Sequence, residues 1–353
     1  MLAYQEVHQD NILNLEENLN NKIFGQSHII KEVVESIYIS LAKLSDDSKP
    51  QASFLFTGAT GTGKTELAKE LAKQLKKDFI RFDMSEYSDK SSIRNLSGSA
   101  KGLVGYEEGG LLTNAILDKP NSIILFDEVE KAHKSIFTLF LQILDYATLT
   151  DTLGNKVDFS NTIIIMTSNL GIKENNTFIG FNNNTKEFSP IDKEAIKEFF
   201  TPELRARLDK ILYFNPISSE IIYNIIDKFL DQFIQNLLKK NIHLLVTDKA
   251  KEKLYLLWET SDKEGARTLY KIINTQFKQH IAKEILFGGL TQGGSITIDI
   301  KDDEFIYNYT HMYFKTSQEA CSYAKKHIGT VITRATDDVG YIVLRKESTI
   351  DNI

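Results

Sequence analysis

The apolar positions between residues 51 and 213 fall into short runs separated by amphipathic stretches of helical character. Four runs are continuous rather than alternating, which is typical of strands buried on both faces of a parallel sheet. They are SFLF (53–56), DFIRFD (78–83), SIILFD (122–127) and NTIIIMTS (161–168). Because helical stretches lie between these runs, the pattern predicts a doubly wound α/β domain over residues 51–213.

The flanking segments have the periodicity of helices. In residues 1–50, which we expect to be mostly helical, an apolar residue recurs every four positions at Ile29, Val33, Ile37 and Leu41. A second stripe predicts a long helix that begins near Ser218 or Ser219; it consists of Ile222, Ile225, Ile226, Phe229, Phe233 and Leu237. Residues 214–308 are therefore expected to form a small, mainly helical domain, with short strands at 242–246 and 295–300. Residues 309–353 are expected to form an αβ extension of strand, helix and hairpin, to which the sequence assigns no role.

The composition narrows the classes of partner and compartment. The net charge of −6 gives no electrostatic reason to expect nucleic acid or an anionic membrane surface. The single cysteine, Cys321, excludes an internal disulfide and suits a reducing compartment. The first residues lack the basic and apolar regions of a signal peptide, and no apolar run is long enough to span a membrane. We therefore expect the cytoplasm.

Residues 58–65 match the phosphate-binding pattern G-x-x-x-x-G-K-[ST] and lie between a predicted strand and a predicted helix. They are Gly58, Ala59, Thr60, Gly61, Thr62, Gly63, Lys64 and Thr65, and Glu66 follows in the first helical turn. Glycines allow the backbone to present a row of N–H groups to phosphate oxygens, and the helix adds the positive end of its dipole. The pattern predicts ATP bound with Lys64 on the β- and γ-phosphates and Mg²⁺ on the Thr65 hydroxyl.

Two carboxylates follow the third apolar run. Asp127 and Glu128 lie where that strand ends, which is the edge at which ligands bind in open α/β sheets. We expect Asp127 to hold Mg²⁺ and Glu128 to be free to polarise the water that attacks the γ-phosphate. The sequence therefore predicts ATP hydrolysis as well as ATP binding.

The chain resembles the AAA+ ATPases, and most closely the C-terminal ATPase module of the Clp/Hsp100 unfoldases of the ClpA type. The resemblance runs from about residue 10 to residue 300. It rests on segments in the family's order: RFDMSEY (81–87), GYEEGGLLT (105–113), DEVEKAH (127–133), TLTDTLG (148–154), TSNLG (167–171), FTPELRARLD (200–209) and GAR (265–267). It implies an AAA+ nucleotide domain followed by a small helical lid, and a homo-hexameric ring that unfolds proteins.

The resemblance also implies roles for individual residues. Asn169 aligns with the sensor that orients the attacking water, and Arg207 with the arginine finger that reaches the neighbouring subunit's γ-phosphate. Arg267 aligns with the sensor carried by the lid. Ile23 and Phe24 align with apolar walls that pack on adenine, although both could equally belong to the core. The simpler alternatives are a surface charge beside Asp209 for Arg207, a helix-start arginine in a local ion pair for Arg267, and a turn residue for Asn169.

Two loops bear on how substrate is handled. The pore loop of the resembled family carries an aromatic residue, but here its four positions are Gly102, Leu103, Val104 and Gly105. Leucine lacks the area of an aromatic ring, so we expect a weaker grip on the translocated chain. Ile179, Gly180 and Phe181 match the tripeptide with which ClpA-like unfoldases dock on the ClpP peptidase; local packing is the alternative. The implied partners are therefore a ClpP-type peptidase, unfolded substrates and an adaptor. A ClpB-like disaggregase module and a nucleotide-dependent ring-assembly module remain the alternatives.

Overall fold

The computed structural model describes residues 11–44, 46, 48–98, 109–171, 192–261, 265–291, 293–314, 330–334 and 341–345, with side chains up to residue 309. The chain divides into two compact units, Met1–Ile217 and Ser218–Ile353. The division follows Ile217, whereas the sequence places it after residue 213. In the part of the chain that is described, no helix is both long and apolar enough to cross a bilayer.

The first unit combines a parallel sheet with helices on its two faces. Its helices are α1 (Leu15–Asn20), α2 (Ser27–Leu41), α3 (Lys64–Gln74), α4 (Lys90–Ser97), α5 (Leu111–Asp118), α6 (Ile136–Tyr146), α7 (Lys193–Phe199) and α8 (Pro202–Arg207). Its strands are β1 (Ala52–Thr57), β2 (Asp78–Asp83), β3 (Ser122–Asp127), β4 (Thr148–Thr150), β5 (Lys156–Asp158), β6 (Ile163–Ser168) and β7 (Lys210–Tyr213). Short 3₁₀ turns lie at Met84–Tyr87 and Val129–Lys131.

The main sheet has the order β2-β3-β6-β1-β7, and all of its pairs are parallel. The α/β fold class and the four predicted strands are confirmed. One detail is wrong: β2 is not buried on both faces, because it lies at the edge of the sheet and its residues are half-buried or exposed. β1, β3 and β6 are buried along their whole length. Their order brings the carboxyl ends of β3, β6 and β1 side by side.

The core of this unit lies on both faces of the sheet. Leu55, Ile124 and Met166 join one buried cluster, whereas Phe54, Leu125 and Ile165 join the other. Each such side chain contributes roughly 1.5–3 kcal/mol when it is fully buried. The stripe on α2 is confirmed at Ile29, Val33 and Ile37, but Leu41 is 41% exposed, because it lies at the last residue of the helix. The strand ends that carry the predicted site are thus held on both sides.

The second unit contains a helical layer and a five-stranded sheet. The helices are α9 (Ser219–Leu238), α10 (Asp248–Glu259), α11 (Ala266–Ile273) and α12 (Gln279–Phe287), with a π-helical segment at Asn274–Lys278. The strands are β8 (Ile242–Val246), β9 (Gly294–Lys301), β10 (Glu304–Phe314), β11 (Thr330–Arg334) and β12 (Tyr341–Arg345), in the order β11-β12-β10-β9-β8. Ser218 precedes α9 as expected, although its side chain makes no capping hydrogen bond.

The last part of the chain belongs to this sheet. β10 is continuous across the predicted boundary at residue 308, and the predicted hairpin is present as the antiparallel pair β11–β12. β12 pairs with β10, so the hairpin extends the sheet begun by β8 and β9. The five strands that the sequence predicts for residues 214–353 therefore form one sheet, rather than belonging partly to the helical domain and partly to an extension. The helix predicted near residues 317–327 lies outside the described residues.

Candidate functional site

The glycine-rich turn leaves β1 and enters α3 at Lys64. Gly58, Gly61 and Gly63 have positive φ angles of 145°, 77° and 105°, which L side chains rarely adopt. At Gly58 there is also no room for a side chain, since a Cβ atom would lie 2.8 Å from the carbonyl oxygen of Phe214. Residues 58–65 therefore have the backbone of a phosphate-binding loop at the N-terminus of a helix.

Lys64 is buried, with 8% of its surface exposed, and its ammonium group lies over the turn. The Nζ atom donates to the carbonyl oxygens of Gly58 and Ala59 at 2.5 Å and 2.9 Å. It also donates to the Oδ1 atom of Asn169 at 3.0 Å. A cation over this turn can neutralise the negative charge of phosphates bound there.

Asp127 ends β3 beside this turn and is also buried. Its Oδ1 accepts a 2.5 Å hydrogen bond from the Thr167 hydroxyl, and its Oδ2 accepts one of 2.9 Å from Nε of Arg81. Arg81 lies on β2 and Thr167 on β6, so both neighbouring strands orient the carboxylate. The sequence analysis did not single out either partner, although Arg81 begins the RFDMSEY segment and Thr167 begins the TSNLG segment.

Glu128 follows with φ 58° and ψ 53°, the left-handed conformation, which turns its side chain out of the strand direction. Its Oε1 accepts from Nδ2 of Asn169 at 3.1 Å, and its Oε2 forms a 2.5 Å ion pair with Nζ of Lys131. The hydrogen bond that Lys131 donates to Glu128, and the negative charge of that carboxylate, raise the pKa of Lys131. Both oxygens of Glu128 thus have partners that the sequence did not predict, because the backbone turn brings Asn169 and Lys131 within reach. Its role toward the attacking water stays a prediction.

Asn169 is the junction of the site. Besides its amide contacts to Lys64 and Glu128, its backbone N–H donates to Oε1 of Glu130 at 2.9 Å. It follows β6 directly, as the TSNLG segment predicts. Hydrogen bonds thus connect the phosphate-binding loop, the end of β6 and the end of β3 within one subunit.

The segment before α2 reaches the same loop. Ile23 belongs to the core, with 4% of its surface exposed, yet its Cγ2 atom lies 3.5 Å from where a Cβ on Gly63 would be. Phe24 is half-buried. Gln26, which the sequence analysis missed, donates to the carbonyl oxygens of Thr62 at 3.4 Å and Asn215 at 2.8 Å. Its position in the IFGQ segment, beside the predicted adenine walls, is the only signal for it.

Arg207 lies at the end of α8, away from this network. Its Nε forms a 2.5 Å ion pair with Asp145 on α6, and its NH2 lies 3.2 Å from Glu203. The hydrogen bond that Arg207 donates to Asp145 is the main cause of the raised pKa of Arg207. Asp209 is not its partner, because that carboxylate accepts from the backbone N–H and the hydroxyl of Ser53.

Arg267 belongs to the second unit, in the first turn of α11. It is exposed, and it forms no ion pair with any residue that the structure describes. Gly265 precedes it with φ 60°, and its carbonyl oxygen accepts a 3.0 Å hydrogen bond from the indole of Trp258. This bond fixes the start of the helix that carries Arg267.

Two predicted sets lie outside the described residues. They are the pore-loop positions Gly102, Leu103, Val104 and Gly105, and the docking tripeptide Ile179, Gly180 and Phe181. Both sets remain predictions from the sequence.

The oxygen donors beside the loop suit Mg²⁺. Thr65, in the first turn of α3, and Asp127 offer a hydroxyl and a carboxylate, which are hard ligands. Among the described residues, no group of three or more His, Cys, Asp or Glu side chains could hold a metal ion by itself.

Comparison with known families covers both units. Residues 49–211 match the model of the AAA domain (Cdc48 subfamily), and residues 217–298 match the C-terminal, D2-small domain of ClpB protein. Residues 3–91 also match the Torsin model. The AAA match ends at residue 211 and the D2-small match begins at residue 217, close to where the structure divides.

Individual relatives agree with these families. The chain is 40% identical over 302 residues to the "ClpA homolog protein" of Fuscovulum blasticum, covering 84% of this chain and 37% of the relative. It is 44% identical over 308 residues to the "Chaperone protein ClpB" of Clostridium tetani, covering 85% and 35%. With the "ATP-dependent Clp protease ATP-binding subunit ClpC" of Staphylococcus aureus it shares 38% identity over 322 residues, covering 88% and 39%. The chain thus spans little more than a third of these relatives. It therefore carries an AAA domain and a domain of the ClpB D2-small type, and its 38–44% identity to Clp proteins is consistent with the second ATPase module of a Clp/Hsp100 protein.

Proposed function

We propose that this module binds ATP with Mg²⁺ at residues 58–65 and hydrolyses it with Glu128 as the general base. The observation that carries the proposal is the hydrogen-bonded chain from Lys64 through Asn169 to Glu128. This hydrogen-bonded chain holds three groups close together at adjacent strand ends: Lys64, which would contact phosphate, Asn169, which would orient water, and Glu128, which would take the proton.

Each residue has a distinct part in this chemistry. The loop amides and Lys64 bind the phosphates, and Asn169 and Glu128 orient and deprotonate the attacking water. Thr65 and Asp127 would hold Mg²⁺, which neutralises charge on the β- and γ-phosphates when it is bound. Glu66 follows Thr65 in the same turn, and Ile23 and Phe24 would pack on adenine, with Gln26 holding their segment to the loop.

The Glu128→Gln variant tests the base. We expect phosphate release to fall at least about 100-fold while the affinity for ATP stays within a factor of three, because glutamine keeps the size but cannot accept the proton. The matched control is Glu86→Gln, an exposed acid in the neighbouring 3₁₀ turn. Unchanged turnover by Glu128→Gln would remove the base assignment.

We further propose that the module works as a homo-hexamer in which Arg207 completes the active site of the next subunit. The guanidinium would neutralise charge on the transferring phosphoryl group. Its ion pairs with Asp145 and Glu203 hold it at the end of α8. Mass measurement with and without a non-hydrolysable ATP analogue tests assembly: nucleotide-dependent hexamers support it, and monomers under both conditions contradict it.

Hydrolysis would move pore loops that draw unfolded protein chains through the ring, with an adaptor supplying some substrates. The relatives are named both as an ATP-binding subunit of a Clp protease and as a ClpB chaperone. We favour delivery to a ClpP-type peptidase over disaggregation because Ile179, Gly180 and Phe181 form an apolar tripeptide within a polar stretch.

Co-sedimentation with ClpP separates these partners. The Ile179→Ser variant should lose binding, whereas Asn183→Ser, a polar change in the same stretch, should retain it. Equal binding by both variants would exclude the tripeptide. If the wild type does not bind, the disaggregase alternative is favoured.

Leu103 supports the other alternative, in which the module mainly holds a ring together. If Glu128→Gln stops turnover in this module but leaves substrate processing unchanged, the role is assembly. Leu103→Tyr separates a pulling module from an assembly module. A pulling module should process a folded substrate faster at unchanged ATP turnover, because the aromatic side chain of tyrosine adds contact area with the substrate.

A further inference from the structure

The contact between Asn169 and Glu128 is held at both of its ends by the same short turn. This turn is the 3₁₀ segment Val129–Lys131, which follows Glu128 directly. Glu130 contacts the asparagine end and Lys131 contacts the glutamate end. Neither residue has a part in the chemistry proposed above.

At the asparagine end, Oε1 of Glu130 accepts from the backbone N–H of Asn169 at 2.9 Å. The other oxygen, Oε2, is buried without a hydrogen-bond partner among the described residues. A buried carboxylate oxygen without a partner costs stability. The fold therefore retains an unfavourable group whose one evident contact fixes the backbone of the proposed water-orienting residue.

At the glutamate end, Nζ of Lys131 lies 2.5 Å from Oε2 of Glu128. The lysine side chain is 52% exposed, and ion pairs this exposed contribute little to folding stability. Each carboxylate oxygen can accept two hydrogen bonds, so Asn169 and Lys131 together leave an acceptor position on each oxygen. The pair thus fixes the direction of the carboxylate without using all of its capacity to bind water.

We propose that Glu130 and Lys131 are positioning residues for ATP hydrolysis, which act by fixing Asn169 and Glu128 respectively. Because proton transfer depends on near-ideal geometry, small displacements of either group slow the chemical step more than they weaken nucleotide binding. This inference rests on the roles proposed for Glu128 and Asn169.

Four variants of the full chain test the inference, with kcat, KM and the affinity for a fluorescent ATP analogue as readouts. Glu130→Ala and Lys131→Met should each lower kcat roughly 10- to 100-fold with KM within a factor of three. Glu130→Gln and Lys131→Arg should retain at least about a third of kcat, since they keep the acceptor and the cation. Glu86→Ala and Lys134→Met are exposed controls from the same region and should behave as wild type.

A double-mutant comparison separates positioning from general damage. In an Asn169→Ala background, Glu130→Ala should change kcat less than about twofold, because the group that it positions is already gone. A full additional loss there, or a kcat of Lys131→Met equal to wild type, would overturn the proposal. If Glu130→Ala does not fold, the comparison of Lys131→Met with Lys131→Arg still tests the role of Lys131. The role of Glu130 is then tested by Glu130→Gln, for which a complete loss of kcat would contradict the proposal. Failure of the base assignment appears separately, as activity retained by Glu128→Gln.

Discussion

The two units hold their predicted functional residues in different ways. In the first unit, Asn169 contacts both Lys64 and Glu128, and Asp127 is fixed by residues of both flanking strands. In the second unit, Arg267 is exposed and forms no ion pair with a described residue. The first arrangement is assembled by a parallel sheet whose strand ends converge, whereas the second depends on a single helix start.

This difference separates two kinds of substitution. A change in the first unit alters the nucleotide site and also breaks contacts that hold neighbouring residues. A change at Arg267 should break no ion pair with a described residue, so we expect it to leave the stability of the second unit unaltered. Comparing the change in kcat with the change in melting temperature, for variants of each unit, therefore tests whether the two units hold their functional residues in these two different ways.

The largest effect should come from Arg207→Ala. We expect kcat to fall about 1,000-fold with little change in ATP affinity, because an arginine finger acts on charge that develops in the transition state. Steady-state kinetics and analogue binding measure the two quantities. Asp145→Asn, which keeps the side-chain shape but removes the ion-pair charge, should fall between this variant and wild type. A loss confined to KM would contradict the assignment.

Next in size is Lys64→Met, which should weaken ATP binding about 100-fold because several charge-assisted hydrogen bonds are lost. Titration with a fluorescent ATP analogue measures this. Lys69→Met, an exposed lysine of the same helix, is the control. Equal affinity of the two variants would mean that the loop does not bind the phosphates.

Arg267→Ala should have a smaller effect, with kcat about 10-fold lower, as expected for one lost charge-assisted contact. The melting temperature without nucleotide should not change, since exposed side chains without partners contribute within about 0.5 kcal/mol. A large drop in melting temperature would show that Arg267 is structural. Unchanged kcat would remove it from the nucleotide site.

The smallest effect concerns pH and the second unit. Burial lowers the pKa of His280, whose ring stacks on Tyr307 with centroids 3.8 Å apart. A histidine with a lowered pKa binds fewer protons when folded, so stability is complete above the unfolded pKa of about 6.5 and falls as pH decreases through the folded value. Thermal melts between pH 5 and pH 8 should show this slope, and His280→Phe should reduce it. An unaltered slope would exclude His280 as its source.

Much of the first unit follows from the sequence because its signals are local. Continuous apolar runs identified the strands, and the glycine pattern with Lys64 identified the loop. The contacts of Glu128 could not be predicted, because they depend on a left-handed backbone turn for which the sequence carries no signal. The partners of Asp127, and the Asp145 partner of Arg207, come from other strands and helices, and a single sequence does not show which elements are neighbours. For the same reason, the sequence did not show that β10 continues across residue 308, because where that sheet ends depends on which strands pair.

The claim that each active site combines Glu128 of one subunit with Arg207 of the next can be tested by mixing two inactive variants. Glu128→Gln supplies the arginine and lacks the base, whereas Arg207→Ala supplies the base and lacks the arginine. In an equimolar mixture that assembles at random, about a quarter of the sites regain both groups, so turnover should recover to about a quarter of wild type. No recovery, in rings shown to contain both variants, would contradict the account.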